Sequence, residues 1–459
     1  MTARIGQRSL VVAGALALAL GVTACGSSSS SKKGDTAAGG GATTGSTKAG
    51  CEAYASYGDL KGKSVNIYTG IVTPEDKPQI DSYKPFEDCT GAKVNYEGDK
   101  SFEAQVLVRA KAGNPPDLAI VPQPGLVKQL VATGKAKEAP AEVAANVDKF
   151  WTKDWKGYGM VDGKFYAAPL GANLKSLVWY SPKEFKEKGY QIPTTLDELK
   201  GLSDKIAASG HKPWCAGIAS GEATGWVITD WMEDMMLRLS GPQEYDKWVN
   251  HTIAFNSPEP TAALDEAGSF LKNDKYFNAG LGNIKSIATT TFQDGGLPIL
   301  DGTCSLHRQA SFYAANWPKG TTVAPDGDVF AFYLPGKDTA TKPVLGGGEF
   351  ILAFSDRPEV KAFQAYLSTD TWANNKVAAT PLGGWVTANK GLDVSKLVSP
   401  IDQLAAKTFQ DPKAVFRFDG SDQMPAAVGS SSFWKQSTNW ITGQSTQDTV
   451  SKIEASWPK

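Results

Sequence analysis

Aromatic and carboxylate side chains recur together at three places in this chain, in arrangements suited to holding a polyhydroxylated ring. In the first, Trp226 precedes Asp230, Asp234 and Arg238. The last three stand at i, i+4 spacing, so they share one face of a helix. Trp226 offers a flat face for stacking, and Asp230 offers an acceptor for hydroxyl groups. Asp234 and Arg238 read instead as helix support on a solvated face, with Trp231, Met235 and Leu239 turned to the core. The second place is FDGSDQMP at 418–425, followed by Phe433 and Trp434. Asp, Ser and Gly make a turn there; Asp422 either accepts hydroxyls or only braces the turn. A D-x-x-D turn also suits calcium, but the ligand ladder and closing glutamate of an EF-hand are missing. The third is PLGGW at 381–385. Two glycines before Trp385 suit a ring held at the edge of a cleft, and packing is an equal alternative.

Other chemistries lack their motifs. His211, His251 and His307 show no H-E-x-x-H or paired-ligand spacing, so no metal site is expected. No G-x-S-x-G is present. Gly346, Gly347 and Gly348 are followed by Glu349 rather than Lys-Ser/Thr, so they form no phosphate loop. They mark a place where backbone bends or lets something approach. A secreted glycoside hydrolase, with two acids flanking a glycosidic bond, is the alternative of another class. Asp230, Asp294, Asp301, Asp419 and Asp422 supply the residue type, and no motif selects a pair.

The front of the chain is an address. Arg4 and Arg8 precede an uncharged run over 10–24 that ends Val-Thr-Ala before Cys25. A cationic start, a short apolar run and small residues before a cut make an export signal. The run is shorter than the roughly 20 apolar residues of a membrane span. Residues 26–50 are Ser, Gly, Thr and Ala with few charges, a flexible tether that can bury no core.

The remainder is long enough for two lobes at roughly 150 residues per domain. The net charge of −1 gives no case for nucleic acid. With 13 Trp, 14 Tyr and 19 Phe the chain is rich in flat amphipathic surfaces. Four cysteines follow Cys25, and an even number in an exported chain favours disulfides. Three pairings are open. The expected one joins Cys51 to Cys89 and Cys215 to Cys304, each bond stapling one lobe.

Strand-like runs alternate with helical ones. Residues 64–70, 92–98 and 117–121 read as strands; 101–112 has helical spacing, and Thr73-Pro74 reads as a helix start. Further on, 177–180, 214–218 and 330–334 read as strands. Thr195 to Glu198 is a capping box, and 224–240 is a helix stopped by Gly241-Pro242. Residues 359–367 and 449–457 are amphipathic helices. Such alternation implies βαβ units and parallel sheet.

Together these pieces resemble the extracellular sugar-binding lipoproteins of ABC importers, in their α-glucoside-binding branch, with a more distant likeness to maltose-binding proteins. The likeness is carried by AGNPPDL at 112–118, VPQPG at 121–125, KSLVWY at 175–180, TGWVITDW at 224–231, Gly346 to Glu349, GGW at 383–385, FDGSDQMP and Phe433-Trp434. It implies an α/β fold of two Rossmann-like lobes joined by a multi-crossing hinge, the type II periplasmic-binding architecture. Residues 1–24 would be the signal peptide and 25–50 the lipidated Cys25 and tether. Residues 51–173 with 349–392 would form the N-terminal lobe, and 174–348 with 393–459 the C-terminal lobe. Crossings fall near 173–175, 345–349 and 390–393.

The resemblance further implies a non-enzymatic, monomeric receptor without cofactor. By the same resemblance it would be anchored by lipid on Cys25 to the outer face of the cytoplasmic membrane, and would pass an α-glucoside or related small oligosaccharide to an ABC-type permease. Its ligand residues by position are Tyr68 (with Thr69), Gln123, Asn173, Lys175, Trp226, Asp230, Trp385, Asp422 and Trp434. Gln123 and Asn173 replace charged groups of the maltose-binding proteins, which changes the expected orientation of the sugar.

A Cys25→Ala chain is expected to fold and to leave the membrane fraction. Cell fractionation checks this; a variant still sedimenting with membranes contradicts lipidation at Cys25.

Overall fold

Short apolar runs flanked by helices place their strands in one parallel stack. The computed structural model describes residues 51–278, 280–381, 383–409 and 411–458. The signal, Cys25 and the tether lie outside these residues. Strands β1 (Ser64–Thr69), β2 (Lys93–Gly98) and β3 (Leu118–Val121) are parallel, with β1 between the other two. Every residue of β3 is buried, as expected of a parallel strand covered on both faces. Then come β4 (Ala167–Leu174), β5 (Leu177–Tyr180), β6 (Leu306–Arg308), β7 (Phe330–Tyr333), β8 (Lys342–Ala353) and β9 (Ala414–Phe418).

The large sheet runs β9-β8-β3-β1-β2, with β4 also pairing β8, and the smaller sheet runs β6-β5-β7. β8 is the long link. Its later half pairs β3 antiparallel, and its earlier half pairs β9 parallel. Its glycines permit this crowding. A Cβ on Gly348 would lie 2.4 Å from the Gly171 carbonyl, and one on Gly346 would lie 2.5 Å from the Phe416 ring. The expected close approach at this triplet is therefore met by backbone and rings of the chain itself.

Three apolar cores form around these sheets. The first gathers Val65, Phe86, Phe102, Leu118, Phe350 and Phe363. The second gathers Trp214, Trp231, Met235, Trp248, Phe270 and Trp440. The third gathers Leu174, Trp179, Tyr313, Val386 and Ile401. Val377 and Val386, in the segment expected to complete the first lobe, pack in this third core. Trp179, Trp214, Trp231, Trp248, Trp372 and Trp440 are wholly buried, so much of the tryptophan excess is core.

Several local expectations shift. Residues 214–218 form no strand beyond a bridge from Trp214 to Leu306. Their backbone is threaded through a loop instead: Ala216 N donates to Asn278 Oδ1 and Ile218 N to the Ile287 carbonyl, both at 3.0 Å. The helix that starts at Trp226 does stop where expected: Gly241 leaves helical geometry at φ 82°, and a second helix begins at Pro242 and runs to Val249. Thr73 caps nothing; the helix begins at Asp76, whose carboxylate accepts the Thr73 hydroxyl at 2.9 Å. At the capping box, Thr195 accepts the Glu198 N–H at 3.2 Å, but Glu198 reaches the N–H of Thr194, one residue further back.

Cys51 is bonded to Cys89 and Cys215 to Cys304, with Cα separations of 5.4 and 5.9 Å. The second bond closes a sequence separation of 89 residues. Replacing both Cys215 and Cys304 by Ala is expected to lower the unfolding free energy by about 4–5 kcal/mol through loop entropy. Urea titration checks it; a loss below about 1 kcal/mol would contradict the loop-entropy account.

Candidate functional site

At the step from β4 to β5 the chain turns one lysine inward. Lys175 N donates to the Leu345 carbonyl on β8, which fixes the backbone. Its ammonium then bonds Asp230 Oδ1 at 3.0 Å and the carboxylate of Asp419. Arg308, on β6, bonds Asp230 Oδ2 at 3.2 Å and donates from Nε to Asp234 Oδ2 at 3.0 Å. Arg238 bonds Asp234 Oδ1 at 2.5 Å and the carbonyls of Pro335 and Leu334 at 2.9 and 2.6 Å. The side chains of Asp230, Asp234, Arg238 and Arg308 have 0% exposure. Burial alone would raise Asp234, but Arg238 and Arg308 outweigh it and hold the carboxyl below its usual range. Burial likewise opposes ionisation of Asp419, and Lys175 brings it down to about 2. Glu233 is pushed well up by burial and by Asp419 and Asp230 beside it.

This network corrects one sequence reading: Asp234 and Arg238 are not a solvated pair but the dry centre of an ion network. Asp230 is wholly buried within it, with Lys175 on one carboxylate oxygen and Arg308 on the other. Asp230, Glu233 and Asp419 also lie close enough to hold a metal ion. Lys175 already supplies the cation there, and Glu233 accepts the N–H groups of Gly420 and Ser421 at 2.8 and 3.0 Å.

Around this base stand less buried groups. Trp226 is the first residue of its helix, after Gly225 at φ 117°. A Cβ on Gly225 would lie 2.2 Å from the Trp434 carbonyl, so only glycine lets the helix start here. The half-buried Trp226 ring meets Phe292 edge-on at 5.3 Å and Phe312 at 6.0 Å, with Lys175 Nζ 5.5 Å away. Asp422 donates its N–H to Asp419 Oδ1 at 3.0 Å. Its own carboxylate is half-buried, and burial and Asp419 push it well above the usual range. Glu103, raised by burial, also acts on it across the chain.

Trp385 is half-buried between the first and third cores. Trp372 meets it at 5.5 Å, and Lys376 Nζ lies 5.7 Å from its ring. A Cβ on Gly171 would strike Glu349 Oε2 at 2.1 Å and Trp385 Nε1 at 2.9 Å, so both converge on that glycine. Asn173 Nδ2 donates to Glu349 Oε1 at 3.4 Å. Burial brings Lys376 down to about 8, against the pull of Glu349 and Glu75.

The expected residues therefore separate. Trp226, Asp422 and Lys175 form one group, and Asn173 and Trp385 form another. Gln123 is buried where its loop abuts Asp422: a Cβ on Gly125 would lie 2.4 Å from the Met424 carbonyl. Trp434 is nearly buried and lines a recess with Glu222, Thr224 and Lys435. Tyr68 is wholly buried; its hydroxyl bonds Asp99 at 3.1 Å, and Arg109 covers its ring at 4.0 Å. Thr69 is buried and accepts the Ile71 N–H at 3.2 Å. Both belong to the first core's surroundings rather than to an open site. Sequence reasoning missed Glu349, Glu103, Lys376, Phe292, Phe312 and Arg308. Only Glu349 gave a signal, as the acid ending the glycine triplet.

The family described as bacterial extracellular solute-binding protein matches residues 70–374. An alpha-glucosides-binding periplasmic protein, AglE of Rhizobium meliloti, is 36% identical over 89% of this chain and 90% of its own length. An osmoprotective compounds-binding protein, GgtB of Synechocystis, is 36% identical over 89% of this chain and 96% of its own. Among solved structures, the bacterial solute receptor AcbH superposes with a TM-score of 0.70 at 17% identity, covering 86% of this chain and 97% of that one. Maltose-bound MalE3 of T. maritima superposes with a TM-score of 0.65 at 16% identity, covering 85% and 98%. These structural likenesses show the type II periplasmic-binding fold.

Asp234→Ala would leave Arg238 and Arg308 buried without their carboxylate, at a cost of about 3–5 kcal/mol. Denaturant unfolding measures it. A loss of under about 1 kcal/mol, the scale of an exposed pair, would contradict the framework role.

Proposed function

The chain belongs to the bacterial extracellular solute-binding proteins, a family of receptors rather than enzymes, and on that premise we propose that it captures an α-glucoside or related small oligosaccharide. The ligand would lie in a cleft framed by Trp226, Trp385, Asp422 and Glu349. The observation that carries this reading is the pairing of two half-buried indole rings with the half-buried carboxyl groups of Asp422 and Glu349. Sugar rings stack on such faces, and their hydroxyls donate to such acceptors. A cleft that excludes water must satisfy those hydroxyls in this way. Asn173 and Lys175 border the same space from the first crossing.

Four of the five aspartates that could serve hydrolysis are engaged within the fold. Asp230 and Asp419 are ion-paired with Lys175. Asp294 and Asp301 accept hydroxyls of Thr291 and Thr303 at 2.6 and 2.5 Å within their own turns.

In this reading residues 51–173 and 349–392 act as one lobe, and 174–348 with 393–459 as the other. Ligand favours closure because it contacts both. Among the described residues no helix is long and apolar enough to cross a membrane. Lipid on Cys25 would hold the receptor, as a monomer, at the outer membrane face beside an ABC-type permease. The name of the GgtB relative places a second class, osmoprotective compounds, in the test panel.

Calorimetry against maltose, trehalose, sucrose and compatible solutes tests the reading. Trp226→Ala or Trp385→Ala is expected to cost about 1–3 kcal/mol of sugar affinity, the scale of stacking on an aromatic face. Asp422→Ala is expected to cost about 0.5–1.5 kcal/mol, the scale of a hydrogen bond to an uncharged carboxyl group. Melting of the sugar-free variants should move little. Large losses of ligand-free stability with an intact sugar response would show packing residues and no binding site.

A further inference from the structure

Among the described residues no cation pairs with the buried carboxylate of Asp402. Asp402, on the helix Pro400–Phe409, is 3% exposed and sits among Leu397, Ile401 and Ala405 of the third core. Its Oδ1 accepts the N–H of Gly384 at 3.0 Å. Gly383 and Gly384 have φ of 75° and 98°, a conformation that side chains resist. A Cβ on Gly383 would lie 3.1 Å from Asp402 Oδ2 and 2.1 Å from Ser399 Oγ. Gly383 N closes the turn on the Thr380 carbonyl at 3.0 Å, and Ala172 N holds the Val386 carbonyl at 2.8 Å. Trp385 therefore projects from between two anchor points, one of which is Asp402.

Burying a lone carboxylate is costly; its place in the first turn of its own helix offsets part of that cost, and the elements packed on that helix bring no cation to it. Segment Ser311–Asn316 and strands β4 and β7, which pack on this helix, contain no charged residue. On β9, Arg417 is paired with Asp246 at 2.6 Å. Lys396 pairs with Asp393 at 3.8 Å. Lys376, behind Trp385, responds to Glu349, Glu75 and Asp81.

We propose that Asp402 is a positioning residue for ligand binding: through the Gly384 N–H its carboxylate holds the two-glycine turn in the form that presents Trp385, and taking up a proton loosens that hold. The proposal rests on Trp385 being a sugar platform. Burial pushes Asp402 up to about 7, against the Gly384 N–H. The ionised form is the stronger acceptor, so the turn is held above that pH and loosened below it. Fold stability moves the other way. A carboxyl raised in the folded state binds its proton more readily there than in the unfolded chain. Its proton uptake between pH 7 and about 4 therefore stabilises the fold.

Hydrogen exchange of the peptide spanning 380–388, in ligand-free protein at pH 6 and pH 8, tests the hold directly. After correction for intrinsic rates, exchange at Gly384 in the unmodified chain should be about five-fold slower at pH 8, the gap between a charged and a neutral acceptor. Asp402→Asn should abolish that difference, and Asp402→Ala should exchange fast at both. Maltose affinity should fall by a similar factor from pH 8 to 6 in the unmodified chain and stay flat in Asp402→Asn. Adding Asp402→Ala to Trp385→Ala should weaken binding no further. If Asp402→Ala does not fold, Asp402→Asn carries both measurements. A pH step that persists in Asp402→Asn overturns the proposal and moves the effect to Glu349 or Glu75. Equal exchange in the unmodified and Asp402→Ala chains overturns it too. Absence of maltose binding in the unmodified chain would count against the sugar reading, while the exchange difference still decides whether Asp402 holds the turn.

Discussion

Charge buried without water must be balanced within a few ångströms, and that constraint organises this molecule. Lys175 stands between β4 and β5, Asp230, Asp234 and Arg238 come from the long helix, Arg308 from the small sheet, and Asp419 from the end of β9. Removing any partner strands a charge in a medium that hydrates it poorly. The segments are therefore fixed to one another more tightly than apolar packing alone demands. Ser176 extends the lock: its hydroxyl donates to Asp234 at 2.6 Å and accepts the Leu345 N–H at 2.9 Å, tying β8 to the same charges. Trp226 and Asp422 stand on this base, one at the start of the long helix and one on the turn that Asp419 caps.

The other constraint is close approach. β8 carries three successive glycines where β4 and β9 flank it, and Gly171 answers from β4 beside Glu349 and Trp385. Crossing strands packed this tightly exclude side chains, so the polar groups that face the proposed cleft come from their edges: Asn173 from one strand and Glu349 from the other. Gly225 does the same for Trp226, and Gly383 with Gly384 for Trp385. In each case an indole follows a glycine whose backbone no other residue adopts easily.

Much of the fold was legible in the sequence. The strands at 64–69, 93–98, 118–121, 177–180 and 330–333 follow from apolar runs, and the motif combination gave the family. The surroundings of the candidate site were legible in part. Glycine next to tryptophan is a local signal, and it marked the half-buried Trp226 and Trp385. Spacing shows which face of a helix Asp230 occupies, but not that Arg308, 78 residues on in the chain, meets it there. Likewise only the fold brings Arg109 over the Tyr68 ring. Residues 214–218 read as a strand, but they meet β6 only at Leu306, and beyond it their backbone bonds Asn278 and Ile287 instead of a strand.

The account rests on one division, between a dry ion network that holds the crossings and a half-buried rim that meets the sugar. A crystal structure of the protein with bound maltose tests that division most directly. The account predicts a sugar ring against Trp226 or Trp385, hydroxyls within hydrogen-bond distance of Asp422 or Glu349, and Lys175 still bonded to Asp230 and Asp419. Sugar hydroxyls on Asp230 with the Lys175 pair broken, or sugar bound away from both indoles, would contradict it.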